Sequence, residues 1–102
     1  MMPITILAVD DHPLLREGIT AVLGNQPDLS VVGEASNGYE AVERCRALTP
    51  DIVLMDLEMP QMSGIEAIVA IRAASPQTHV IVLTAPMRRF YVHSTPALLA
   101  IC

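Results

Sequence analysis

A chain of 102 residues forms one domain with room for a single core. Its hydrophobic fraction of 52% suits strands buried on both faces, and an aromatic content of 3% makes that core aliphatic. The net charge is −5 and all six basic residues are arginines, which excludes a nucleic-acid-binding surface; the Arg88–Arg89 pair is too small a patch to reverse this.

Ile4–Val9 reads as a buried strand of β-branched and aliphatic residues. Asp11-His12-Pro13 starts a helix, with proline suited to the first helical position. Leu15, Ile19, Val22 and Leu23 recur along it at helical spacing, and Gly24-Asn25 stops it. Leu29–Ala35 is a second strand and Ser36-Asn37-Gly38 a turn. Ala41, Val42, Cys45 and Leu48 mark the stripe of a second helix that ends before Pro50. Ile52–Met55 is a third strand, followed by a loop over Glu58–Ser63. Ser63 and Glu66 make an S-x-x-E capping box, and Ile65, Ile68, Val69 and Ile71 are expected to face the core from a third helix closed by Pro76. His79–Leu83 is a fourth strand. Strands alternating with helices of this length mean βαβ units, a parallel sheet and an α/β fold with helices on both faces.

After Ala85 the alternation fails. Phe90–Val92 reads as a short strand and Pro96–Ile101 as a turn of helix. No full helix followed by a fifth parallel strand can be traced there. No apolar stretch reaches the ~18 residues of a membrane span. Met1–Met2 lacks the basic flank of a signal peptide. Cys45 and Cys102 show no metal spacing and read as free thiols, so the expected compartment is the reducing cytoplasm.

Three of the four strands end on residues with chemistry. Asp10 and Asp11 follow the first, Asp56 the third and Thr84 the fourth. In an open parallel sheet ligands bind outside the carboxyl ends of the strands. Clustered carboxylates there suit a hard cation such as Mg²⁺, with Asp56 able to attack a phosphoryl donor and Thr84 able to donate a hydrogen bond to its oxygens. Plainer readings exist for each residue alone. An Asp-Asp pair can cap the following helix, Asp56 can simply begin a loop, and Thr84 can be structural. Coincidence of all three features after three strands favours the metal and phosphoryl reading. His12, beside the acidic pair, is expected to cap the helix or face solvent, and His79 to be exposed.

The segments VDDHPLLREGI, EASNGYEAVERCRALTPDIVLMDLEMPQMSGIEAI and HVIVLTA resemble the receiver domain of two-component response regulators. The likeness is greatest to the NarL/FixJ (LuxR-type) branch. It implies a flavodoxin-like (CheY-like) doubly wound sheet of strand order 2-1-3-4, with a receiver portion over residues 3–85 and a divergent tail over 86–102. It also implies Asp56 as phosphoacceptor, and Mg²⁺ held by Asp10, Asp11, Asp56 and the main-chain carbonyl of Glu58. Thr84 would be the switch hydroxyl and Ala85 the small residue that keeps the site accessible. A sensor histidine kinase would be the donor.

The chain departs from that family in its last part. The family lysine at the end of strand five has no counterpart, because the chain has no lysine. A recognisable fourth helix, fifth strand, fifth helix and helix-turn-helix domain are absent, so direct DNA binding is not expected. Loss of a strand should bare the edge of the fourth strand and favour homodimers or aggregation. Read two bases later, the codons of Met87–Cys102 permit a family-like string, so a shifted reading frame and a genuine short variant both stand as origins of the tail. The expected function is a phosphoacceptor module, impaired in its C-terminal third, with at most weak self-dephosphorylation. A small Mg²⁺-dependent phosphohydrolase with Asp56 as nucleophile and Glu58 as acid, or a non-signalling interaction remnant, are the other classes.

Overall fold

Four runs rich in Val, Ile and Leu form parallel strands: β1 (Ile4–Val9), β2 (Leu29–Ala35), β3 (Ile52–Asp56) and β4 (His79–Thr84). The helices between them are α1 (Pro13–Gly24), α2 (Gly38–Leu48) and α3 (Gly64–Ala74). This computed structural model describes residues 2–56, 64–84, 89–94 and 97–101. Two further strands, β5 (Arg89–Ser94) and β6 (Ala97–Ile101), complete a sheet of order β2-β1-β3-β4-β5-β6. The 2-1-3-4 order of the parallel strands is as expected.

Local chemistry sets the helix ends. Pro13 opens α1, where its missing N–H leaves no bond unmade. Asn37 caps α2 by accepting from the Glu40 N–H at 2.9 Å. Glu40 in turn accepts from the N–H and hydroxyl of Ser36, each at 2.8 Å, in the reciprocal manner of a capping box set one residue back. The same helix stops at Thr49, whose φ of 42° lies in the left-handed region, before Pro50. The S-x-x-E box at the start of α3 cannot be followed, since Ser63 lies outside the described residues.

Over β1, β3 and β4 one face of the sheet is sealed. Leu7, Val9, Val53, Met55, Val80 and Val82 alternate along β1, β3 and β4 and pack beneath α2 and α3, which contribute Ala41, Val42, Cys45, Ala67, Ile68 and Ile71. The opposite face is covered less: Ile6 and Ala8 are buried, Leu54 and Ile81 only partly, and α1 has no buried residue at all. Burial on both faces, which the composition suits, therefore holds on the α2–α3 side of β1, β3 and β4 and only in part on the side of α1 among the described residues. On α1 the inward residues are Arg16, Ile19, Thr20 and Leu23, while Leu15 and Val22 are exposed. On α3, Ile65 and Val69 are 71% and 65% exposed rather than buried. Both lie roughly half a turn from Ala67 and Ile71, and the narrow contact with the sheet takes the small Ala67 in preference to either.

The tail also differs from expectation. Phe90–Val92 is a strand, lengthened to Arg89–Ser94, but Ala97–Ile101 is a strand and not a turn of helix. Both run antiparallel: β5 pairs with β4 from Val80↔His93 to Thr84↔Arg89, and β6 pairs with β5 from Ser94↔Ala97 to Phe90↔Ile101. The direction follows from length. Only residues 85–88 separate β4 from β5, whereas a parallel return needs a crossover of about a dozen residues or more. Five residues are likewise too few for a stable isolated helix but enough to zip onto a neighbouring strand. The edge of β4, expected to be bare, is therefore covered by β5.

Candidate metal centre

Register brings the functional residues together. Val9 lies opposite Met55 in the β1–β3 ladder, so Asp10 continues toward Asp56. Asp56 lies opposite Leu83 in the β3–β4 ladder, one position before Thr84. Asp10, Asp11, Asp56 and Thr84 are thus on one edge of the sheet, at the carboxyl ends of adjacent strands, as the sequence implied. Glu58 and Ala85, the other residues expected there, lie outside the described residues.

Asp10 is 3% exposed, and its N–H extends the β1–β2 ladder by donating to the Ala35 carbonyl at 3.0 Å. Its Oδ1 accepts from the His12 N–H at 2.6 Å, so Asp10 helps to start α1 as well as facing the site. Asp11 and Asp56 are partly exposed, with side-chain accessibilities of 27% and 13%. One ligand atom from each of Asp10, Asp11, His12 and Asp56 falls within 4.8 Å of the others.

His12 is the residue that sequence reasoning underrated. It holds the cap position of α1 and its ring is exposed, as expected, but Nδ1 turns back into the cluster. Nδ1 lies 3.1 Å from Asp10 Oδ1, 2.9 Å from Asp11 Oδ1 and 4.0 Å from Asp56 Oδ2. The hydrogen bond to Asp10 raises the pKa of His12 above its ordinary 6.5; the charges of Asp11 and Asp10 add to this, slight desolvation opposes it, and Asp56 contributes least. Its adjacency to two aspartates was the available signal. His79 is exposed at the far end of β4, as expected.

The donor set fits a hard divalent cation. Three carboxylates supply the oxygen ligands such ions prefer, with open positions left for water or a phosphoryl oxygen. Asp11 Oδ1 is buried and accepts no hydrogen bond among the described residues, although His12 Nδ1 is close. A buried carboxylate oxygen without a hydrogen bond is costly; a metal cation would satisfy it, as the protonated His12 ring does through its charge. Arg16 also reaches this cluster: its Nη1 donates to the main-chain carbonyl of Asp10 at 2.6 Å.

Comparison with known proteins agrees with this geometry. Residues 6–96 match the response regulator receiver domain family. The nitrate/nitrite response regulator NarL of Escherichia coli K12 is 44% identical over 82 residues, covering 80% of this chain and 38% of that protein. The response regulator VraR of Staphylococcus aureus Mu3 is 46% identical over 83 residues, covering 81% of this chain and 40% of that protein. The chain therefore spans about two-fifths of the length of these curated relatives. Among solved structures, a LuxR-family two-component response regulator from Aurantimonas sp. SI85-9A1 superposes with a TM-score of 0.76 at 40% identity, over 80% of this chain and 59% of that one. Fold, register and sequence likeness agree that the chain belongs to the receiver domains of two-component response regulators, in the NarL/LuxR-type branch.

Proposed function

We propose that this receiver domain accepts a phosphoryl group on Asp56 from the phosphohistidine of a sensor kinase, at a Mg²⁺ site made by Asp10, Asp11 and Asp56. The main-chain carbonyl of Glu58 is assigned to the same site from the family resemblance. Convergence of the three carboxylates is the observation that supports the reading best. In the transfer, a carboxylate oxygen of Asp56 attacks phosphorus, the phosphorus–nitrogen bond breaks, and its electron pair leaves with the donor imidazole. A bound Mg²⁺ supplies charge neutralisation for the phosphoryl oxygens. Asp10 and Asp11 would hold that ion, and without it their negative charge opposes the approach of an anionic donor. Thr84, at the end of β4, is placed in sequence to donate its hydroxyl to the phosphoryl group once formed.

Residues 3–85 carry this function and residues 86–102 form the divergent tail. The domain is a phosphoacceptor and not a turnover enzyme. These 102 residues contain no lysine to pair with the phosphoryl group, so phosphorylation of this stretch by itself is slow and poorly coupled to output. Incubation with acetyl phosphate and Mg²⁺, followed by mass spectrometry, tests the reading. A single Mg²⁺-dependent phosphoryl adduct absent from Asp56→Asn is expected. Labelling that survives that substitution removes the assignment.

A further inference from the structure

Consecutive residues of a strand point to opposite faces, so two adjacent aspartates cannot both serve one site while the chain stays extended. Asp10 and Asp11 do converge, because β1 ends at Val9 and the chain bends at Asp11. That bend takes the Asp10 carbonyl out of the sheet ladder, where it needs another donor. Arg16 provides it, reaching back from the first turns of α1 to donate from Nη1 at 2.6 Å. The guanidinium is fixed from its other side: Nε donates to Glu34 Oε1 at 2.9 Å.

Glu34 is available only because of an irregularity in β2. Ile6 pairs with Val31 but Leu7 pairs with Gly33, so Val32 is the extra residue of a bulge. Ala8 then faces Glu34, which places Glu34 on the α1 side of the sheet; an unbroken register would put it on the side of Val9. Gly33 allows the bulge to pack closely, since a Cβ there would meet Leu48 Cδ1 at 3.0 Å and Leu7 Cδ1 at 3.2 Å.

We infer that Arg16, braced by Glu34, is a positioning residue for the cation site: it clamps the Asp10–Asp11 peptide in the bend that turns both carboxylates inward. The planar guanidinium suits this role because it serves two acceptors in fixed directions, whereas an ammonium is a point charge on a flexible stem. The inference rests on the Mg²⁺ reading above for its consequence but not for its geometry.

The test titrates Mg²⁺ calorimetrically into the metal-free full chain and its variants, with the ¹⁵N shift of the Asp11 amide as a second readout and the thermal midpoint in chelator as a folding control. Arg16→Met should weaken Mg²⁺ binding by about 10–100-fold, the usual loss when an outer partner of a ligand is removed. It should also move the Asp11 amide resonance before any metal is added. Glu34→Gln should do less, because an amide oxygen still accepts from Nε. Folded Arg16→Met with wild-type affinity and an unmoved Asp11 resonance would overturn the inference. Should Arg16→Met fail to fold, Arg16→Lys decides: wild-type affinity and shift would show that charge alone suffices, which also overturns it. A wild-type chain that binds no Mg²⁺ defeats the functional reading instead, and the metal-free Asp11 shift still decides the clamp: a moved resonance supports it and an unmoved one refutes it.

Discussion

Asp51 and Asp56 bracket the same short strand, β3, yet they sit in opposite chemical settings. At the amino end, the Asp51 carboxylate accepts from the Thr5 N–H at 2.8 Å and the Thr5 hydroxyl at 3.1 Å, and the Asp51 N–H donates back to that hydroxyl at 2.9 Å. Nearby, the buried Thr78 hydroxyl donates to the Pro50 carbonyl at 2.7 Å and pairs with the Ser75 hydroxyl at 2.6 Å. Donors and acceptors are matched, and the network ties β1, β3 and β4 together. At the carboxyl end, Asp56 meets two more carboxylates, and among the described residues Asp11 Oδ1 accepts no hydrogen bond and is approached only by the His12 ring at 2.9 Å. An aspartate at a strand boundary is structural where its neighbours bring donors. It belongs to a site where they bring more acceptors.

Substitutions at the two ends should separate these roles. The largest effect is expected from Asp11→Asn, which removes a direct ligand: Mg²⁺ affinity should fall by at least the ~10–100-fold seen for outer partners. Relief of like-charge crowding should at the same time raise the thermal midpoint measured in chelator. Thr78→Val should act on stability alone. It strips the buried Pro50 carbonyl and Ser75 hydroxyl of a partner and should cost about 1–3 kcal/mol in urea unfolding, with Mg²⁺ affinity unchanged. Together the pair would break the comparison if either variant altered both properties in the same direction.

Glu40 sharpens it by pH. Hydrogen bonds from the Ser36 N–H and hydroxyl lower its pKa below the ordinary 4.5. A carboxylate whose pKa is lower in the folded state stabilises above its unfolded value and loses that contribution as pH falls through the folded value. Acid unfolding below about pH 4.5 should therefore be less steep in Glu40→Gln than in wild type, while the two should run parallel at neutral pH. The smallest effect is expected at Cys45. Burial beneath the sheet pushes its thiol up to about 11, so in a Cys102→Ser background it should react with Ellman's reagent at pH 8 no faster than the protein opens.

Much of this was legible in the sequence because the strands are short, aliphatic and punctuated by Pro, Gly and Asp. The bounds of β1 and β2 and the placement of Asp10, Asp11, Asp56 and Thr84 at one edge follow from that punctuation. Parallel register then aligns residues that follow equivalent strands. What could not be seen depends on contacts between elements. Ile65 and Val69 look like core residues by type, but which arc of α3 meets the sheet is decided by packing. His12 reads as an ordinary helix-start residue, and only the bend after Val9 brings its Nδ1 back to the carboxylates. Arg16 offered no signal, because its partners are a main-chain carbonyl and a glutamate positioned by the bulge at Val32. The antiparallel hairpin after β4 was hidden because its pairing depends on the shortness of residues 85–88 and not on any strong strand pattern.

The common site at the carboxyl edge can be tested without any phosphodonor. Substoichiometric Mn²⁺, a paramagnetic ion that shares the oxygen preference of Mg²⁺, should broaden the amide resonances of Asp10, Asp11 and Asp56 first. Thr5, Asp51 and Thr78 should stay sharp, and excess Mg²⁺ should restore the lost signals. Broadening centred on Asp51, or spread evenly over the acidic residues of the surface, would contradict a shared cation site at that edge.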